Sequence, residues 1–83
     1  MDVQREVLVV LDEVLSLNGR ASKFNRDTHL LGAIPELDSM AVVSLIAGLE
    51  ERFAMAVDDD DIDGDIFMTV GTLVDFVGGK IAA

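Results

Sequence analysis

The densest run of oxygen ligands in the chain is Asp58 to Phe67, DDDDIDGDIF. Counted from Asp59, the carboxylates of Asp59, Asp61 and Asp63 fall at positions 1, 3 and 5 of a calcium-binding loop, with Gly64 at position 6 and Ile66 at position 8. Such a loop wraps a hard cation in oxygens and closes its shell with a bidentate acid at position 12. That position is Val70. The pattern fails where a strong site most needs a ligand, and no second loop exists to pair with it. An EF-hand-like calcium binder is therefore the lesser reading, and no metal site is assigned.

Other chemistry is scarce. There is no Cys, which excludes thiolate metal sites and a disulfide scaffold. The single His, His29, lies in a stretch without helical period, and none of Ser16, Ser22, Ser39 or Ser44 stands at a spacing that supports a Ser–His pair. The chain is not expected to be an enzyme. What remains is Ser39, directly after Asp38 at the head of an apolar-periodic run.

The elements that would position these residues are helical. Val3, Val7, Val10, Leu11 and Val14 share one face of a helix predicted over roughly Val3 to Leu15, ending near Asn18-Gly19. From Arg20 to Leu37 no period holds, and Phe24, Leu30, Leu31 and Ile34 read as anchors that pack this long loop across the bundle. Asp38 and Ser39 are both good N-caps for a second helix running to about Phe53. Its stripe is Val42, Ile46, Leu49 and Phe53, widened by Val43 and Leu45. A short helical turn is expected around Asp63 to Met68. A last helix, capped by Thr69, would bury Val70, Leu73, Val74, Val77 and Ile81 and weaken at Gly78-Gly79.

Eighty-three residues, 51% of them apolar, suffice for one small domain over 1–83 that stands on packing alone. The amino terminus MDVQREVLVVLDEVL has acids on both sides of its apolar run, unlike a signal peptide. MAVVSLIAGL is too short to span a bilayer, so a cytoplasmic protein without a membrane segment is expected. Residues 36 to 75 hold eleven acids and one base, Arg52, which accounts for the whole net charge of −10. That field repels phosphates and disfavours nucleic acid. It favours a basic protein partner, or serves only to keep the chain dissolved.

The stretch LLGAIPELDSMAVVSLIAGLEERF, followed by an acidic loop, a short helix and TVGTLVDFV, resembles the acyl carrier proteins. The resemblance runs from the first helix to the last, with Asp38-Ser39-Met40 standing where the family has Asp-Ser-Leu. It implies an all-α four-helix bundle of acyl-carrier type: three longer helices, one short helix and a long first loop. It further implies a discrete, monomeric, non-catalytic carrier for fatty acid, polyketide or related biosynthesis. A peptidyl or aminoacyl carrier is the alternative within the same fold, and the acidity and the Asp-Ser-Met context lean toward acyl groups.

By that resemblance Ser39 receives a 4′-phosphopantetheine arm from coenzyme A, installed by a phosphopantetheinyl transferase. Acyl groups then ride on the arm as thioesters between loading and processing enzymes. The physics of the position agrees, since free N–H groups and the dipole at a helix start tolerate an added phosphate. No base neighbours Ser39 in sequence, so the transferase must activate the hydroxyl. Asp38 would cap the helix and help the transferase hold Mg²⁺ and coenzyme A. Family members present acids to basic patches on their partners; here Asp38, Glu50, Glu51 and the Asp58 to Asp65 run, with Asp58, Asp61 and Asp63, carry over. Ala41 and Ser44 stand where many members have acids, which shifts docking near the serine toward Met40 and Val43. Val43, Ile46, Leu49, Ile66, Phe67 and Val74 are candidates to line a site for the acyl chain, or simply core.

Overall fold

The computed structural model describes residues 2–82, with the side chains of Asp59 and Ala82 outside what is described. Three α-helices carry the fold: α1, Val3–Leu15; α2, Ser39–Phe53; and α3, Val70–Ala82. Three 3₁₀ turns join them, at Arg20–Lys23, Asp59–Asp61 and Gly64–Phe67. The expected four-helix count thus becomes three major helices plus short turns. The stretch expected as a fourth short helix around Asp63 to Met68 is the single tight turn Gly64–Phe67, which Asp63 opens by accepting the Asp65 N–H at 2.7 Å.

Helix α1 is central, packing against both α2 and α3. Asp2 caps it, accepting the Arg5 N–H at 3.2 Å. The helix stops at Leu15, as its spacing predicts, because Ser16 turns left-handed (φ 54°) and returns its N–H to the Asp12 carbonyl. Val7, Val10, Leu11 and Leu15 are buried, while Val3 and Val14 sit half-buried at the edge of the same stripe. Where α1 and α2 approach, Gly48 has no room to spare: a Cβ there would meet Val14 Cγ2 at 3.1 Å and Val10 Cγ1 at 3.3 Å.

In α2 the buried line is Leu45, Leu49 and Phe53, and Val42 and Ile46 flank it half-buried. Val43, expected to widen the core stripe, is 64% exposed. The helix is rotated so that positions 45, 49 and 53 face α1, which carries position 43 out to solvent. In α3, Val70, Leu73, Val74 and Val77 are buried as expected, but Ile81 is 37% exposed because the last turn overhangs the core. Thr69 caps this helix reciprocally. Its Oγ1 accepts the Thr72 N–H at 3.2 Å, and Thr72 Oγ1 accepts the Thr69 N–H at 3.1 Å.

The long loop before α2 packs across the bundle. Leu30 is fully buried, Ala21 and Leu37 are nearly so, and Phe24 and Ile34 lie against the core, whereas Leu31 is 38% exposed. Part of the loop forms an isolated antiparallel bridge, His29 to Thr69. Leu30 N–H donates to the Met68 carbonyl at 2.8 Å, and Val70 N–H donates to the Thr28 carbonyl at 3.0 Å. A backbone that buries Leu30 must find partners for its own polar groups, and the start of α3 supplies them. Among the described residues no helix is long and apolar enough to cross a membrane.

Candidate functional site

Ser39 is the first residue of α2 and its side chain is exposed. The turn that presents it is built by Asp38, whose backbone is extended (φ −109°, ψ −175°) and whose Oδ1 accepts the Ala41 N–H at 2.8 Å. The Asp38 carbonyl accepts the Val42 N–H at 2.9 Å. With Ala41 and Val42 bonded, the N–H groups of Ser39 and Met40 are the ones the helix start leaves without intrahelical partners. They and the dipole give the position a positive cast suited to a phosphate ester. Met40, beside it, is 76% exposed.

The outward face of α2 continues from Met40 through Val43, Ser44 and Ala47 to Glu51, all exposed. The half of this face nearest Ser39 is therefore uncharged, and charge enters only at the far end. Glu50 and Glu51 differ in situation. Glu51 is exposed, whereas Glu50 is half-buried and its Oε2 accepts the Val57 N–H at 3.0 Å, fixing the chain as it leaves α2.

The acidic run is likewise partly committed to the fold. Asp61 forms an ion pair with Lys80 of α3 and accepts the Asp58 N–H at 3.1 Å. The Lys80 hydrogen bond, then that of the Asp58 N–H, hold the Asp61 carboxyl below the ordinary carboxylate range. Asp63 is spent on the Asp65 N–H. Asp58 is exposed. For the calcium pattern this arrangement is unfavourable: Asp61 faces an ammonium, Asp63 caps a turn, Val70 is buried inside α3, and the Asp59 side chain lies outside the described residues. Among the described residues no group of three or more His, Cys, Asp or Glu side chains is placed to hold a metal ion.

Of the residues expected to line an acyl site, Leu49, Phe67 and Val74 are buried core, Ile46 and Ile66 pack half-buried against that core, and Val43 is exposed. An open groove of about 740 Å³ lies elsewhere, between α1 and the 20–24 turn, with Arg5, Leu8 and Phe24 in its lining and Ser39 absent from it. His29 is exposed and serves the loop through its backbone bridge to Thr69.

No protein-family model matches the chain, and no curated protein matches it. Among solved structures, the holo acyl carrier protein of Nitrosomonas europaea is 44% identical, with both chains covered over 100% of their length and a TM-score of 0.92. The chain belongs to the acyl carrier protein family. As an acyl carrier protein it is a non-catalytic carrier, which agrees with the thin catalytic inventory of its sequence. An acyl carrier protein must offer one reachable attachment point and a face that several enzymes can bind. In this chain the turn at Asp38-Ser39-Met40 and the adjoining face of α2 from Val43 to Glu51 are exposed.

Proposed function

We propose that Ser39 is the residue through which this carrier works, accepting a 4′-phosphopantetheine arm from coenzyme A: its Oγ bonds to the phosphorus that carries pantetheine as the pyrophosphate bond breaks and adenosine 3′,5′-bisphosphate leaves. The observation that carries this is the placement of Ser39: exposed, first in α2, and directly after an N-cap whose carboxylate is turned toward the helix. Once attached, the arm supplies a flexible thiol on which an acyl group is held as a thioester. The chain's own part is to present the hydroxyl, to set two free N–H groups where a phosphate would sit, and to keep Asp38 occupied with Ala41. Because Asp38 is so occupied, the proton of the hydroxyl leaves to a base of the transferase.

Residues 1–83 act as one carrier domain in this reading, and the Gly64–Phe67 turn stands for the short helix of a four-helix carrier. The partners are a phosphopantetheinyl transferase and the enzymes that load and process the acyl group. They would meet Met40 and Val43 as apolar contacts close to Ser39, and Glu51 and Asp58 as exposed acids for a basic patch. Glu50, Asp61 and Asp63, held by bonds within the fold, add to the negative field that steers encounter more than to direct contacts.

The test is incubation with coenzyme A and a broad-specificity phosphopantetheinyl transferase, read by intact mass. The expected result is the gain of one arm by the parent protein and none by Ser39→Ala. An alanine variant that still gains one arm would move the attachment to another residue.

A further inference from the structure

We propose that Arg20, by pinning the Glu36 carboxylate, keeps the segment before Ser39 in the geometry that docks to the enzymes that act on it. The inference rests on Ser39 as the attachment residue and concerns how that residue is held. Asp38 fixes Ser39 to its own helix but not to the rest of the bundle. The N-terminal end of α2 is placed by the segment before it, in which Leu37 is buried and donates its N–H to the Ile34 carbonyl at 3.0 Å. Glu36 stands in that segment, two residues before the cap.

Arg20 reaches Glu36 from the far side of the loop. Its Nε–H donates to the carbonyl of Leu17 at 3.1 Å, and its Nη2 pairs with Glu36 Oε2. Leu17 is fully buried, and the neighbours of Arg20 are pinned: the Asp12 carboxylate accepts the N–H of Gly19 at 3.1 Å and that of Ala21 at 3.2 Å. The guanidinium is thus seated on the exit of α1 and presents Nη2 to Glu36.

The other oxygen of Glu36 makes this more than an ordinary surface pair. Oε1 is shut away from solvent with no hydrogen-bond partner among the described residues, although the side chain as a whole is 33% exposed. Arg20 is the one side chain that holds the carboxylate in this position. Without Arg20, a carboxylate with one oxygen sealed from water and the other unpaired would turn outward, and Pro35 to Leu37 would move with it. Removing Glu36 instead leaves Arg20, 55% exposed, to be satisfied by water. The two halves of the pair are therefore unequal. Loss of Arg20 lowers the fraction of molecules with Ser39 in the docking geometry, which raises the apparent KM for the carrier and leaves kcat untouched once the transferase has bound.

The experiment measures transferase kinetics with coenzyme A against carrier concentration for the parent, Arg20→Ala, Glu36→Ala, the double alanine variant and the charge swap Arg20→Glu/Glu36→Arg. Circular dichroism establishes that each is folded. Arg20→Ala is expected to raise KM by about fivefold with kcat unchanged, and Glu36→Ala by less than about twofold. The double variant should recover most of the Arg20→Ala loss, since the stranded carboxylate is gone, and the swap should recover it as well. Parent-like KM in folded Arg20→Ala, or a double variant no better than Arg20→Ala, overturns this role of Arg20 while leaving Ser39 in place. A Ser39→Ala control that is still labelled overturns the attachment site, and the role of Arg20 with it.

Discussion

Arg26 lays one guanidinium nitrogen against both carboxylate oxygens of Asp75, 2.9 Å from each, across 49 positions of sequence. The pair is exposed, at 50% and 67%, so its worth is at most about 1 kcal/mol. Backbone contacts beside it do more. Gly71 donates its N–H to the Arg26 carbonyl at 2.9 Å, in line with the Val70 to Thr28 bond.

Gly71 gives the first prediction. A Cβ at this position would meet the Arg26 carbonyl oxygen at 3.0 Å, a backbone atom fixed by the bonds around it. Gly71→Ala is expected to destabilise by about 1–3 kcal/mol despite the roughly 1 kcal/mol that alanine gains in a helix. Arg26→Ala should cost about 1 kcal/mol or less. Urea unfolding of both variants checks the order, and an alanine at 71 as stable as the parent would mean that the loop gives way easily.

Glu50 and Glu51 are adjacent in sequence but should answer to different assays. Glu51→Lys is expected to slow association with a basic partner and flatten its salt dependence, with stability within about 0.5 kcal/mol of the parent. Glu50→Lys should slow association too and also lower stability by about 1 kcal/mol, because the Val57 N–H loses its acceptor. Stopped-flow association at two salt concentrations, set beside thermal unfolding, separates the two.

Acid should unpick two ion pairs. The Lys80 hydrogen bond depresses the Asp61 carboxyl and the Arg20 hydrogen bond depresses that of Glu36. A depressed folded-state pKa contributes stability above the unfolded value and loses it as pH falls through the folded value. The whole protein also sheds self-repulsion on acidification from its net charge of −10, so the measurement that isolates one pair is a difference. The stability gap between the parent and Asp61→Asn should be full above about pH 5 and close as the pH falls below about 4. A gap that stays constant to pH 2 would mean that the Lys80 pair does not distinguish the folded state.

Calcium should behave as a screening ion. With Asp61 on Lys80 and Asp63 on the Asp65 N–H, added calcium is expected to raise the melting temperature no more than magnesium at the same concentration. Isothermal titration should show no one-to-one saturating step; a tight single-site isotherm would restore the loop reading of Asp59, Asp61 and Asp63.

Much of this was legible in the residues. The caps Asp38 and Thr69 place the starts of α2 and α3 to the residue, since a side chain that must accept a helical N–H leaves a local signature. Periodicity was weaker at deciding which way a helix faces. Val43 and Val42 are chemically alike, yet one is exposed and the other half-buried, because the close approach of α1 at Gly48 sets the rotation of α2. The site residue Ser39 was legible through its neighbours. The partners of Glu50, Asp61 and Glu36 were not, as each is bonded to a group 7 to 19 positions away that no local pattern announces.

The bridge between His29 and Thr69 has a bearing on how the molecule comes apart. Four backbone hydrogen bonds join residues 26–31 to 67–71, so a segment without helix or strand of its own opens only when the start of α3 lets go. The stretch from Ala56 to Ile62 is moored instead by single side-chain bonds, Glu50 to Val57 and Lys80 to Asp61. The weak seam of this carrier therefore runs behind α2, in the shorter connection, and the longer one in front of it belongs to the same cooperative unit as the final helix.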